Sequence, residues 1–203
     1  ILIGFPKSGT SSFQRLFTML GMETHHLYYR GKTIGQAMNE CHEQGRQRLD
    51  FIPSPRRKPI GLTQTDCCVH PEASFWPQIT LLEELTRQYP GSLYILNTRD
   101  PQRLLESFRT WNDYLGRIFL YTPELFPDIP GDSQALGCVR VAARRHRTGR
   151  LHFAERPQLT LLEFDIARDS VYRIGELIDL QGITEFPWVN PRGDRRSTRI
   201  NHG

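Results

Sequence analysis

The sequence predicts an α/β chain forming a single three-layer domain, a central and mostly parallel β-sheet flanked by helices. Three observations predict it. The chain opens on an apolar run, Ile1 to Phe5, that breaks into Gly, Ser and Thr and then into a helical stripe. Leu93 to Leu96 repeats that order with Asn97, Thr98 and Arg99 at the break. Between and beyond these points, short apolar runs alternate with segments of helical period. Such alternation builds parallel strands whose right-handed crossovers carry the strand-end loops to one edge of the sheet, where ligands bind.

Taken in order, Ile1 to Phe5 has the unbroken apolar character of a strand covered on both faces. Phe13, Leu16, Phe17 and Leu20 are spaced as one helix face, and Gly21 stops that helix. Thr24 to Tyr29 reads as a second strand, and Thr33 to Leu49 as an exposed polar helix interrupted by Gly45. The Pro- and Arg-rich run from Pro53 to Pro59 is a loop, Ile60 to Thr65 a third strand ending at Asp66. Trp76, Ile79, Leu82 and Leu85 predict a helix over Ala73 to Gln88, closed by Tyr89-Pro90-Gly91. Leu93 to Leu96 is the next strand. Asp100 is a good N-cap and Pro101 suits a first helical position, so a helix runs from there to Trp111. Trp111 to Pro130 reads as irregular, a packed excursion or lid, and Gln134 to Thr148 as a helix carrying Arg140, Arg144, Arg145 and Arg147. Leu159 to Phe164 is the last strand, followed by a helix over Ser170 to Leu180 with Val171, Ile174, Leu177 and Ile178 as its stripe.

The first loop carries the chemistry. Gly9 lets backbone approach a ligand, while helix N-terminal N–H groups, the hydroxyls of Thr10, Ser11 and Ser12, and the Lys7 ammonium converge on an anion. The triphosphate-binding version of this cradle, G-x-x-x-x-G-K-[ST], places its lysine directly after the second glycine. Here Gly4 and Gly9 have that separation, but Thr10 follows Gly9 and the lysine is Lys7, inside the loop. The pattern Pro6-Lys7-Ser8-Gly9-Thr10-Ser11-Ser12 instead resembles the 5′-phosphosulfate loop of sulfotransferases that use 3′-phosphoadenosine 5′-phosphosulfate (PAPS). Arg99 at a strand end, with Ser107 eight residues later, is similar to the pair that binds the 3′-phosphate in that family. The resemblance runs from Ile1 to about Asn190, although its two specific motifs occupy only Phe5 to Ser12 and Arg99 to Ser107. It implies PAPS as cofactor, adenosine 3′,5′-bisphosphate as product, and no required metal.

It also implies in-line transfer of a sulfuryl group to an acceptor hydroxyl or amine, with Lys7 stabilising the leaving phosphate oxygen and a general base facing it. Asp66 is the first choice for the base because it ends a strand at the ligand edge. The chain departs there from the histidine of the cytosolic sulfotransferases, so His70, His25 and His26 stay in contention. Arg192 and Arg195, in a basic, glycine-containing C-terminal segment, are further candidate cofactor contacts by the same resemblance, against the alternative of a frayed basic tail. A P-loop kinase or NTPase is the rival reading, supported by Asp165 after a strand as a metal ligand; a non-catalytic anion-binding module is another.

Composition agrees with a globular enzyme: 203 residues, 24% charged and 38% hydrophobic, fit one domain over 1–203. A formal charge of +4 helps to attract an anionic cofactor and calls for no nucleic acid. No apolar run approaches the roughly 20 residues that cross a bilayer, and no membrane contact is expected. Because the chain starts inside a strand, the native polypeptide is expected to extend before Ile1, with an anchor or signal left open. Cys41, Cys67, Cys68 and Cys138 have neither zinc nor disulfide-framework spacing and read as buried thiols, which favours a reducing, cytoplasmic setting. The acceptor is a small molecule or a carbohydrate; Phe75, Trp76, Trp111, Tyr114 and Tyr121 suit an apolar one, the arginine-rich stretches an acidic glycan.

Overall fold

The computed structural model describes residues 1–52, 58–66, 76–111, 114–121, 137, 144 and 147–189. In chain order these form α1 (Thr10–Met19), β1 (Glu23–His26), β2 (Tyr28–Tyr29), β3 (Lys32–Thr33), α2 (Ile34–Glu43), β4 (Ile60–Gln64), α3 (Pro77–Thr80), α4 (Leu82–Gln88), β5 (Leu93–Thr98), α5 (Pro101–Arg109), α6 (Tyr114–Tyr121), α7 (147–154), β6 (Thr160–Asp165) and α8 (Tyr172–Gly175).

The sheet grows outward from its first three residues. Leu2 donates its N–H to the Leu62 carbonyl at 2.8 Å on one side. On the other side it bridges Ile95 in parallel, with Ile3 N–H to Ile95 O and Ile95 N–H to Ile1 O both at 2.9 Å. This segment therefore joins two ladders. One is β4 paired in parallel with β1, continuing through the short antiparallel strands β2 and β3; the other is β5 paired in parallel with β6 over six residues. The order across the sheet is β3-β2-β1-β4, Ile1–Ile3, β5-β6. The chain crosses from Ile1–Ile3 to β1 on one side and later to β5 on the other, so the central segment lies at a switch point, the place where sheets of this kind bind ligands.

Side-chain alternation along β5 divides the core into two layers, as a sheet covered on both faces requires. Ile95 and Leu2 pack with Phe13, Leu16 and Phe17 of α1, with Phe164, with Val171 at the start of α8 and with Ile174 within it. Tyr94 and Leu96 face the opposite layer with Ile3 and Phe153 of α7. Neighbouring β4 extends that second layer through Leu62, packed with Ile34 and Met38 of α2 and Leu85 of α4. The Tyr94 hydroxyl donates to the Leu85 and Tyr89 carbonyls, which fastens the end of α4 to the sheet.

Several elements differ from the sequence expectation. The first strand ends at Ile3, because Gly4 turns its N–H to the Asn97 side chain instead of the ladder. Thr24 to Tyr29 divides into β1 and β2 at Leu27, which has φ 64°. Helix α2 is shorter than Thr33 to Leu49 and is amphipathic: Ile34, Ala37, Met38 and Cys41 are buried, and Thr33 and Gln36 form a reciprocal cap. The expected single helix through Gln88 is two, parted at Leu81, since Trp76 and Leu85 each anchor their own segment in the core. Helix α6 stands within the stretch read as irregular. Helix α8 is only four residues long; Leu177 of the expected stripe is exposed, and Leu180 packs where a Gly175 Cβ would be. Residues 53–57, most of the expected basic helix, and Cys67, Cys68 and Cys138 lie outside the described residues, and Cys41 is a buried free thiol. No described helix is long and apolar enough to cross a membrane.

Candidate functional site

Where the central segment ends, the backbone is pressed against β5. A Cβ on Gly4 would stand 2.1 Å from the Asn97 carbonyl oxygen, so only glycine admits this approach. Asn97 is fully buried and acts as a template for the loop: its Oδ1 accepts the Gly4 N–H at 2.9 Å and its Nδ2 donates to the Ser8 carbonyl at 3.2 Å. The sequence reading passed over Asn97. Its signal was present, a lone amide at the end of an apolar strand.

Two left-handed residues then bend the chain into α1, Lys7 at φ 64° and Gly9 at φ 90°. Ile166 fills the space that a Gly9 side chain would need, 2.6 Å from its ideal Cβ. Helix α1 starts at Thr10 without a side-chain cap. Its first N–H groups thus have no intrahelical acceptor and face the loop with the positive end of the helix dipole. Ser8 is fully buried, and among the described residues its Oγ is one of the few buried side-chain polar atoms with no protein partner. A buried hydroxyl beside uncapped N–H groups suits a bound anion. Pro6, also buried, leads into this turn.

The cations meet at the same loop. Arg99, at the end of β5, donates from Nη1 to the Lys7 carbonyl at 2.6 Å. The Lys7 Nζ lies 4.0 Å from the centroid of the Trp111 ring. Burial, and secondly the Arg99 charge, hold the Lys7 ammonium below the usual lysine range. As expected, Asp100 caps α5, accepting the Arg103 N–H at 3.0 Å, and Ser107 sits half-buried on that helix. The hydroxyls of α1 are placed differently from one another. Thr10 Oγ1 donates to Gln64 Oε1 at 3.4 Å, Ser11 lines an open groove with Gln14 and Arg15, and Ser12 Oγ accepts the Val189 N–H at 3.0 Å.

Asp66 follows β4, almost completely buried. Gln64 Nε2 donates to its Oδ2 at 3.3 Å and Gln78 Nε2 to its Oδ1 at 3.1 Å, while Thr65 Oγ1 donates to Gln78 Oε1 at 3.0 Å. Through Gln64 this network reaches Thr10, so the carboxylate and the anion loop are held by one chain of hydrogen bonds. Gln64 and Gln78 were not foreseen as orienting groups, because residues so far apart in sequence carry no common pattern.

His25 and His26 lie beside β4 on β1. His25 Nε2 is 3.0 Å from Glu23 Oε1, and the His26 Nδ1 is 3.0 Å from Thr63 Oγ1. Burial depresses the His26 pKa from 6.5 to about 4. That makes His26 a poor base near neutrality, where efficiency asks for a pKa close to the working pH. It also makes it a stability sensor. The unfolded chain protonates this residue first, so His26 stabilises the fold fully above pH 6.5 and that contribution is lost as the pH falls towards about 4. The melting temperature of the wild type therefore falls across that window, and in His26→Gln the fall is shallower by the His26 share; equal slopes would refute it.

Asp165 closes its own turn: Oδ1 accepts the Ala167 N–H at 2.9 Å, and Arg168 Nε lies 3.8 Å from Oδ2. His70, Arg192 and Arg195 lie outside the described residues. A family model described as a sulfotransferase domain matches residues 1–150, a span that contains the Lys7 loop, Asp66, Arg99 and Ser107. No curated protein matches the chain significantly.

Proposed function

Because this chain belongs to the sulfotransferase domain family, we propose that it transfers a sulfuryl group from PAPS to an acceptor hydroxyl or amine. The observation that carries the reading is the 2.6 Å bond from Arg99 to the Lys7 carbonyl, which brings the two expected anchor points of the donor to one loop. The orphaned Ser8 hydroxyl and the uncapped start of α1 fit the 5′-phosphosulfate, and the Arg99 guanidinium with Ser107 fits the 3′-phosphate. When bound, the donor supplies an electrophilic sulfur attached to a bisphosphate leaving group.

The residues then divide the work. The N–H groups of Gly9 to Ser11 hold phosphate oxygens in a preorganised seat, and no dipole has to reorient as charge develops. Lys7 stabilises or protonates the bridging oxygen, which takes the electron pair of the breaking S–O bond. Asp66 accepts the proton that the acceptor loses as its new bond to sulfur forms, and Gln64 and Gln78 keep the carboxylate aimed. Arg192 and Arg195 extend the 3′-phosphate grip in this reading, and His70 is the alternative base. The acceptor is a small molecule or a carbohydrate, met in a single domain without a required metal.

Asp66→Asn separates base from binder. The variant is expected to lose roughly 10²- to 10⁴-fold in kcat, the usual contribution of general base catalysis, while calorimetry finds its affinity for adenosine 3′,5′-bisphosphate unchanged. Full turnover with radiolabelled donor across desulfated glycans, phenols and amines would remove Asp66 from the mechanism.

A further inference from the structure

We propose that Trp111 is a positioning residue for sulfuryl transfer, its indole face the seat from which the Lys7 ammonium is delivered to the leaving oxygen. The inference rests on the donor reading above and names a residue outside both phosphate motifs.

The geometry begins at the Lys7 backbone. With φ at 64° and its carbonyl held by Arg99, the residue has one direction in which its side chain leaves the loop. The side chain itself is a flexible four-carbon stem, which samples many rotamers unless something holds its end. The indole does so: at 4.0 Å from the ring centroid the ammonium is well inside cation–π range. Among the described residues no carboxylate lies within ion-pair distance of Lys7. This matters because a carboxylate partner would compete with the donor for the ammonium, whereas a ring face yields it to a phosphate oxygen.

The backbone that carries the ring is anchored. Trp111 closes the end of α5, donating its backbone N–H to the Phe108 carbonyl at 3.3 Å, and Phe108 is buried in the core. The same helix carries Ser107 and follows directly from Arg99. One rigid unit therefore supplies the expected 3′-phosphate contacts and the platform for the catalytic lysine, which ties the lysine position to the far end of the donor.

The chain has only three lysines, Lys7, Lys32 and Lys58, so an NMR spectrum of protein labelled at the lysine ε-carbon resolves them. The expected wild-type spectrum has one ε-methylene signal displaced upfield by the indole ring current. Trp111→Leu returns it to the ordinary position, Trp111→Phe keeps part of the displacement, and adenosine 3′,5′-bisphosphate moves it back downfield in the wild type. In turnover, Trp111→Leu lowers kcat about tenfold, within the range of one desolvated cation–π contact, with donor KM nearly unchanged. Trp111→Tyr recovers most of the loss, and in a Lys7→Met background Trp111→Leu costs nothing more. No displaced signal, or Leu and Tyr variants equally impaired, or additive losses would overturn the seat. A protein that binds the bisphosphate without a displaced lysine signal loses the seat and keeps the donor reading. A Trp111-dependent signal that ignores the bisphosphate overturns the donor reading and, with it, the delivery role.

Discussion

Lys7→Met is expected to lower kcat by roughly 10²- to 10³-fold, the effect of removing one preorganised charge stabiliser from a transition state. Methionine keeps most of the stem and its packing on Trp111 and removes only the ammonium. Binding of the bisphosphate should survive, because the uncapped N–H groups of α1 and the Arg99 guanidinium remain. The pH profile supplies an independent check. Burial and the Arg99 charge hold the Lys7 ammonium below the ordinary lysine range. The reaction needs the protonated form, so wild-type turnover falls as the pH rises through that lowered value. The methionine variant should show a low rate without this alkaline limb. Unchanged kcat, or a limb that persists, would take Lys7 out of the chemistry.

Arg99→Ala has the second large effect, and it falls on both binding and rate. Losing the charge-assisted bonds to a phosphate costs about 3 kcal/mol, or roughly 100-fold in bisphosphate affinity. The same change releases the Lys7 carbonyl, whose 2.6 Å bond holds a left-handed residue in place. For that reason kcat should fall together with the rise in donor KM, whereas a residue that only gripped the 3′-phosphate would raise KM alone. Arg99→Lys restores the charge without the planar fork and is expected to recover little of either. Steady-state kinetics beside calorimetry separates the two losses. A pure KM effect would mean that the bond to Lys7 has no catalytic consequence.

Both effects were legible in part from the sequence. Lys7, Ser8 and Gly9 stand in a short local pattern, and Asp100-Pro101 announces its own helix start, so these places could be read from neighbours alone. The alternation of strands and helices likewise gave the layered architecture. What stayed hidden depends on contacts between distant segments. Asn97 shapes the first loop from β5, adjacent in the sheet but some ninety residues away in the chain, Gln64 and Gln78 meet only at Asp66, and Trp111 reaches Lys7 across the sheet edge. Boundaries failed for a related reason. The apolar residues of Ser170 to Leu180 have helical spacing, yet only Val171 and Ile174 are fully buried, Ile178 and Leu180 pack partly against the same core and Leu177 is exposed, so most of the stripe forms turns. Periodicity reports where a side chain is able to be buried, and tertiary packing decides which of them are.

Titration calorimetry of the wild-type chain with adenosine 3′,5′-bisphosphate in the presence of EDTA tests the account most directly, with ATP and magnesium as the comparison. The account predicts that the bisphosphate binds without metal, more tightly than ATP under either condition, and that Arg99→Ala abolishes most of the heat. No heat with the bisphosphate, or ATP binding that wins once magnesium is added, would contradict it.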